Sequence, residues 1–357
     1  MTLEDLLIKT VEHEASDLHI TVGTAPRIRK SGSLLELGTE KLSADKVKEL
    51  IQSKMSTKQI ENFNSGNEID YSVGLPGISR FRVNVYSQRG NICAAYRRLP
   101  LEPPAIDSLG LPDSVINLLE QKKGLILITG STGSGKSTTM AALVNQLTKE
   151  LPGHILTIED PIEYLYPHSK AQVNQREVGV DTKSFESGLK SALRQDPDVV
   201  VVGELRDPES MAAAMSVAET GHLVFGTMHT NTAAGAITRL VDAFPPEKQD
   251  VIRMNLSMSL LAVIAQQLVP TTDGKRTLAC EILVGTSAVK ALIRENNVHQ
   301  INNYIKSGVK DGMILMDDSL RKLFNDGIIS QDNLIEYAID SKSMIESSSS
   351  IPKQPNI

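Results

Sequence analysis

The chain contains no tryptophan, only 4% aromatic residues, and two cysteines in 357 positions. Scarce aromatics remove the platforms on which bases of single-stranded nucleic acid stack. The formal net charge of -6 points the same way, against a protein whose main task is neutralising DNA or RNA phosphates. A local basic channel is still compatible with an acidic total. Cys93 and Cys280 stand far apart and form no CxxC pair. Neither a disulfide framework nor a zinc site is therefore expected, which fits a reducing cytoplasm. The longest apolar runs, such as Leu125–Ile128 and Val199–Val202, fall far below the roughly 18 residues that a membrane-spanning helix needs. The opening "MTLEDLLIKTVEHEA" is acidic and amphipathic, without the basic-then-apolar layout of a signal peptide. Direct insertion into a membrane is not expected, and any membrane association has to come through a partner.

A chain of this length exceeds what one core usually supports, so two domains are expected. Leu3, Leu6, Leu7 and Val11 recur at helical spacing over residues 3–14. Strand-like stretches follow at Asp17–Thr21, Arg27–Lys30, Ser79–Tyr86 and Cys93–Arg97, with a helix over Ser43–Lys54 capped by its serine. This defines a small α+β domain over residues 1–98. "LPLEPPAIDSLGLP" over residues 99–112 interrupts helix and strand alike and reads as a linker. From residue 113 onward, continuous apolar runs at Gly124–Thr129, His154–Ile158, Val199–Val202 and Leu223–Met228 alternate with helical stretches. Unbroken hydrophobicity predicts strands buried on both faces, hence a mostly parallel sheet flanked by helices. A hairpin is expected around Asp273-Gly274, then a mainly helical segment to residue 345, and a disordered tail over residues 346–357.

Gly130, Ser131, Thr132, Gly133, Ser134, Gly135, Lys136, Ser137 and Thr138 carry the chemistry most plainly. They satisfy G-x-x-x-x-G-K-[ST] between the strand "GLILIT" and the helix "STTMAALVNQLTKEL". Glycines turn backbone N–H groups toward phosphates, and the helix N-terminus adds partial positive charge. Lys136 is expected on the β- and γ-phosphates of ATP and Ser137 on Mg²⁺. Two acidic clusters follow core strands: Glu204 after four valines, and Glu159, Asp160 and Glu163 after "ILTI". Carboxylates at these strand ends can hold Mg²⁺ or orient an attacking water, whereas Glu159 alone reads as a cap or loop charge. His222 and His229 bracket the strand Leu223–Met228. Either they are satisfied structural residues or they sense the γ-phosphate through hydrogen bonds.

Taken in order, these segments resemble the ATPases of the type II/type IV secretion family, and within it the branch that retracts type IV pili. The likeness covers about residues 3–340 and includes "ASDLHIT" (Ala15–Thr21), the phosphate loop, "TIEDPIEY" as an Asp box, "LRQDPDVVVVGELRD" as a Walker B region and "ETGHLVFGTMHTN" as a His box. The resemblance implies a PAS-like N-terminal domain and a RecA-like ATPase domain. It also implies a homohexameric ring and Mg²⁺-dependent ATP hydrolysis between subunits. It assigns Glu163 as the base that activates water, Glu204 as the Walker B acid, and His222 and His229 as the His-box pair. "SRFRVNVYSQRGNICAAYRR" matches the family's arginine-bearing strands, which makes Arg82 and Arg97, with Arg80 behind them, the residues expected to reach nucleotide. Such a guanidinium is worth roughly 10³–10⁵ in phosphoryl-transfer rate; surface ion pairing, worth little, is the alternative. Arg194 and Arg206 are candidates for subunit contacts.

Retraction rather than extension follows from what extension ATPases carry and this chain does not: a longer N-terminal region and a tetracysteine zinc insert, which two cysteines cannot form. "AVKALIRE" (Ala288–Glu295) matches five of eight residues of the retraction branch's "AIRNLIRE", departing at Val289, Lys290 and Ala291. A plain packing helix accounts for it equally well, because Val289 and Ile293 share a face. The resemblance places the motor in the cytoplasm, peripheral to the inner membrane through a pilus platform protein, with a second retraction ATPase as a further partner and no nucleic acid. The rival readings are an accessory retraction ATPase, a RecA-like nucleic-acid translocase, and a nucleotide-binding scaffold without turnover.

Overall fold

A computed structural model describes residues 1–100 and 102–348, and the chain divides into two compact units. The first comprises residues 1–103 together with 161–165, and the second comprises residues 104–160 and 166–357.

The first unit holds helices α1 (Leu3–Glu12), α2 (Ala44–Gln52) and α3 (Thr57–Asn64) and strands β1 (Asp17–Ile20), β2 (Arg27–Lys30), β3 (Ser33–Glu36), β4 (Ile69–Leu75), β5 (Ser79–Gln88) and β6 (Asn91–Leu99). A capping box starts α1: the Asp5 N–H donates to Thr2 Oγ1, and the Thr2 N–H donates back to Asp5 Oδ2. Ser43 caps α2 as its position in the sequence predicts. The six strands form an antiparallel sheet in the order β3-β2-β1-β6-β5-β4. Alternation sends Leu18, Ile20, Ile28, Phe81, Val83, Val85 and Tyr96 into a core shared with Leu3, Leu6, Leu7, Val47, Leu50 and Ile51 of the helices. The same period of two leaves Arg80 and Arg82 on the face away from that core.

The second unit is a seven-stranded sheet in the order β13-β12-β7-β11-β10-β8-β9. Its strands are β7 (Gly124–Thr129), β8 (His154–Glu159), β9 (Gln172–Glu177), β10 (Val199–Val202), β11 (Leu223–Met228), β12 (Leu260–Pro270) and β13 (Arg276–Val284). All neighbours run parallel except the hairpin β12–β13. Every residue of β7, β10 and β11 is buried, which is why their sequences are continuous apolar runs. The helices are α4 (Asp113–Ile116), α5 (Lys136–Glu150), α6 (Phe185–Ala192), α7 (Pro208–Glu219), α8 (Ala233–Asp242), α9 (Pro246–Ser259), α10 (Ser287–Arg294), α11 (Ile301–Ser307), α12 (Met316–Asn325), α13 (Gln331–Tyr337) and α14 (Ser341–Ser348). Two apolar cores form in this unit, and a third joins Val269 and Ala279 of the hairpin to Met316, Leu320, Leu334 and Met344 of the last helices.

Two local outcomes differ from the sequence reading. Ile106 and Leu111, inside the expected linker 99–112, are buried in the second unit, so its later half belongs to a core. The expected tail 346–357 starts too early, because residues 346–348 complete α14; its remainder lies outside the described residues. In α10, Val289, Leu292 and Ile293 are buried while Arg294 is exposed, which is the packing-helix arrangement. Cys93 and Cys280 are both buried and unpaired. Among the described residues no helix is long and apolar enough to cross a membrane.

A candidate nucleotide site at the phosphate loop

The loop leaves the carboxyl end of β7 at the centre of the sheet, where parallel strands open a crevice for ligands. Gly130 has φ 151 and Gly135 φ 91, both conformations that side chains disfavour. At Gly130 the constraint is also one of space. A Cβ there would meet the Gln266 carbonyl and Ser134 Oγ at 2.4 Å each. Ser131, Thr132 and Gly133 form the exposed tip, Ser137 is exposed on the first turn of α5, and Thr138 is half-buried behind it. Lys136 is buried and donates to the carbonyls of Gly130 and Ser131, 2.9 Å each, folding its ammonium into the loop it serves.

Two loops from neighbouring strands meet this lysine. The Gly203 N–H donates to the Ile158 carbonyl at 2.8 Å, which carries the chain past β10 and sets Glu204 at the sheet's edge. From the end of β11 comes His229, whose Nδ1 lies 3.4 Å from Lys136 Nζ and whose Nε2 lies 3.1 Å from Glu204 Oε1. Glu204 Oε2 accepts from Arg206 Nη2 at 2.7 Å. Burial works against the charge of Glu204. The Arg206 hydrogen bond and the positive charges of Arg206 and Lys136, with the imidazole of His229 beside them, outweigh it and hold the carboxyl below the usual range. Glu204 is therefore an anion at neutral pH, paired with Arg206 and His229 and within the field of Lys136.

His222 does not join this constellation. It stands at the opposite end of β11, a strand of six residues at about 3.3 Å each, and its Nδ1 is 3.0 Å from the Val217 carbonyl at the end of α7. Glu159 is a structural acid, taking hydrogen bonds from Thr157 at 2.6 Å and Gln175 at 3.1 Å. Asp160 is exposed, and its charge raises the pKa of Arg206 after the larger effect of Glu204. Glu163 falls in the 161–165 segment, which groups with the first unit, and is half-buried between buried Ile162 and Tyr164. Arg82 and Arg97 are also in the first unit, opposite each other on β5 and β6. Arg97 Nε is 3.0 Å from Asp17 and Arg82 Nε 3.9 Å from Asp70, while Arg80 donates to Ser72 at 2.9 Å. Arg98, opposite Phe81, takes the other face. Arg194 and Arg206 are both exposed, and Arg206 pairs with Glu204.

Gln266 is the site residue that the sequence did not announce. Nothing in "AVIAQQLVP" marks one glutamine over its neighbour. From β12 its Nε2 donates to the Ser134 carbonyl at 2.8 Å, while Gln267 reaches the Tyr337 carbonyl at 2.9 Å. The side chain of Gln266 is 2% exposed, so it holds the phosphate loop from beneath. Gln266→Leu should raise the ATP KM about fivefold to tenfold, the worth of one hydrogen bond near 1 kcal/mol. An unchanged KM would reduce Gln266 to packing.

Thr129 Oγ1 and Ser134 Oγ are buried hydroxyls without a hydrogen-bond partner among the described residues. Such groups beside glycine-freed N–H groups and a helix N-terminus suit an anion of the phosphate class. The site as built is that of a phosphate-loop nucleotide-binding protein. A model of the family "Type II/IV secretion system protein" matches residues 2–311, and the chain belongs to that family. Over 338 residues it is 43% identical to the type IV pilus retractation ATPase PilT of Pseudomonas aeruginosa, covering 95% of this chain and 98% of that one. It is 39% identical over 339 residues to the type IV pilus ATPase PilU of the same organism, covering 95% and 89%. Its fold matches the crystal structure of the pilus retraction motor PilT with bound ADP at a TM-score of 0.90 and 43% identity, covering 97% of this chain and 99% of that one.

Proposed function

We propose that the chain is the ATP-hydrolysing motor of type IV pilus retraction, acting as a homohexamer in the cytoplasm beside an inner-membrane platform protein. The observation that carries this reading is the joining of Lys136, His229 and Glu204 at the phosphate loop in a chain similar, nearly end to end, to a retraction ATPase. The first unit is read as the PAS-like domain (residues 1–98) and the second as the RecA-like ATPase domain (residues 113–345).

In this reading the loop N–H groups and Lys136 bind the phosphates of ATP. Ser137 and Glu204 are the residues that would hold Mg²⁺. Both offer hard oxygen donors, and because the two Glu204 oxygens are already engaged, Glu204 would act through water. When bound, Mg²⁺ neutralises the charge that grows on the β- and γ-phosphates. Among the described residues no group of three or more acidic, histidine or cysteine side chains forms a metal cage, which accords with an ion held partly by phosphates. His229 reports the γ-phosphate to Glu204 by hydrogen bonding. Glu163 takes the proton of the attacking water. Arg82 and Arg97 give up their surface carboxylates to stabilise charge on the nucleotide of a neighbouring protomer. His222 fastens the turn between α7 and β11 rather than touching phosphate.

Binding favours one arrangement of the units and hydrolysis another, so turnover becomes rotation absorbed in the segment between them. That rotation turns the platform protein and withdraws pilins from the fibre. Deleting the gene should leave cells with excess surface pili and no twitching; loss of pili would instead make the chain an extension motor. The likeness to PilU supports a second reading, an accessory motor that needs a partner ATPase. A purified chain that hydrolyses ATP feebly alone, with force restored only by a second motor, would favour it.

A further inference from the structure

We propose that Glu281 is a positioning residue for hydrolysis: its buried carboxylate fixes the start of α8 and so aims the loop that carries His229. Glu281 sits on β13 opposite Ala265 and is 1% exposed. Its Oε1 accepts the N–H of Ala233, the first residue of α8, at 2.8 Å. Burial pushes this carboxyl's pKa upward against the Ala233 hydrogen bond, and the nearby charge of Asp317 adds to that rise.

A buried carboxylate is costly where an apolar side chain would pack, so its presence calls for a reason. Capping α8 is not a sufficient one, because Thr232 already accepts the Gly235 N–H at 3.0 Å. The carboxyl of Glu281 instead holds the first N–H group of α8 from a strand on the far side of the connection, where partial positive charge favours an oxygen acceptor.

The consequence for the site lies in the connection His229-Thr230-Asn231-Thr232. At its near end, Met228 is registered against Thr129 of β7, the residue before the phosphate loop. At its far end, Ala233 is held by Glu281. Four residues between two fixed points, His229 the first of them, leave its ring little freedom, and this short tether keeps it between Glu204 and Lys136.

This inference rests on the reading of His229 as a phosphate-facing residue in an ATPase. The test uses the full chain and compares Glu281→Gln, which keeps size but offers an amide where a backbone donor points, with Glu281→Asp, which keeps charge but withdraws by one methylene. We expect kcat to fall about tenfold in Glu281→Gln, with the Kd for a fluorescent ADP analogue changed less than twofold. In a His229→Asn background the same change should cost no further kcat, because residues acting as one unit are not additive. Should Glu281→Gln not fold, Glu281→Asp must show the same split. Wild-type kcat in the folded variant, equal losses in binding and kcat, or multiplying losses in the double variant would overturn the inference alone. Absence of turnover in the wild type would overturn the proposed function, and this inference with it.

Discussion

Lys136→Ala should lower ATP turnover by at least about 10²-fold while the chain stays folded. The removed ammonium is buried, lies 3.4 Å from His229, and donates to Gly130 and Ser131. With nucleotide bound, the same donors can exchange the two carbonyls for phosphate oxygens, which carry more charge as transfer proceeds. Loss of one such donor from a preorganised site costs about 10²–10³ in rate, roughly 2.7–4 kcal/mol. The fold should tolerate the change, since alanine is the best helix former and Lys136 opens α5. Two carbonyls lose a donor, so a loss of about 1–3 kcal/mol in stability is expected. Steady-state phosphate release with a thermal melt separates these effects. Turnover within a few-fold of wild type would remove Lys136 from the chemistry.

Glu204→Gln should be nearly as severe and should act differently. The amide keeps the shape and one acceptor for Arg206 or His229 but removes the charge that both groups surround. Because the carboxyl is held below the usual range, the wild-type side chain is anionic throughout the neutral region and its glutamine replacement neutral at every pH. Nucleotide affinity should change only a few-fold, since Lys136 and the loop remain. The fall in kcat should reach about 10²-fold, because the acid acts on the ion and water of the transition state rather than on ground-state binding. Binding of fluorescent ADP measured beside turnover distinguishes the two. Normal turnover in Glu204→Gln would defeat the assignment.

How much of this was legible depended on which physical signal each element emits. Strands β7, β8, β10 and β11 declared themselves because burial on both faces leaves unbroken apolar runs. The hairpin β12–β13 was marked by Asp273-Gly274. Strand β9 (QVNQRE) was silent: it lies at a sheet edge and buries only Val173 and Glu177. β3 is exposed at all four positions, and α3 buries none of its residues, so neither offers a run of core positions to read.

In the site, Lys136 and Ser137 could be read because loop spacing is itself the chemistry. Equal weight fell on His222 and His229 because a sequence shows both flanking one strand; only the direction of β11 separates them. Gln266 and Glu281 reach the phosphate loop and α8 across 132 and 48 residues of chain. Contacts at such separation leave no local pattern to read.

The central claim is that ATP is cleaved where identical protomers meet and that the cleavage performs work. Its most direct test is to follow specific ATP turnover together with mass across a protein dilution series. The account predicts hexamers whose activity per chain collapses as they dissociate. A chain that stays monomeric at every concentration, yet hydrolyses ATP at an undiminished rate, would contradict it.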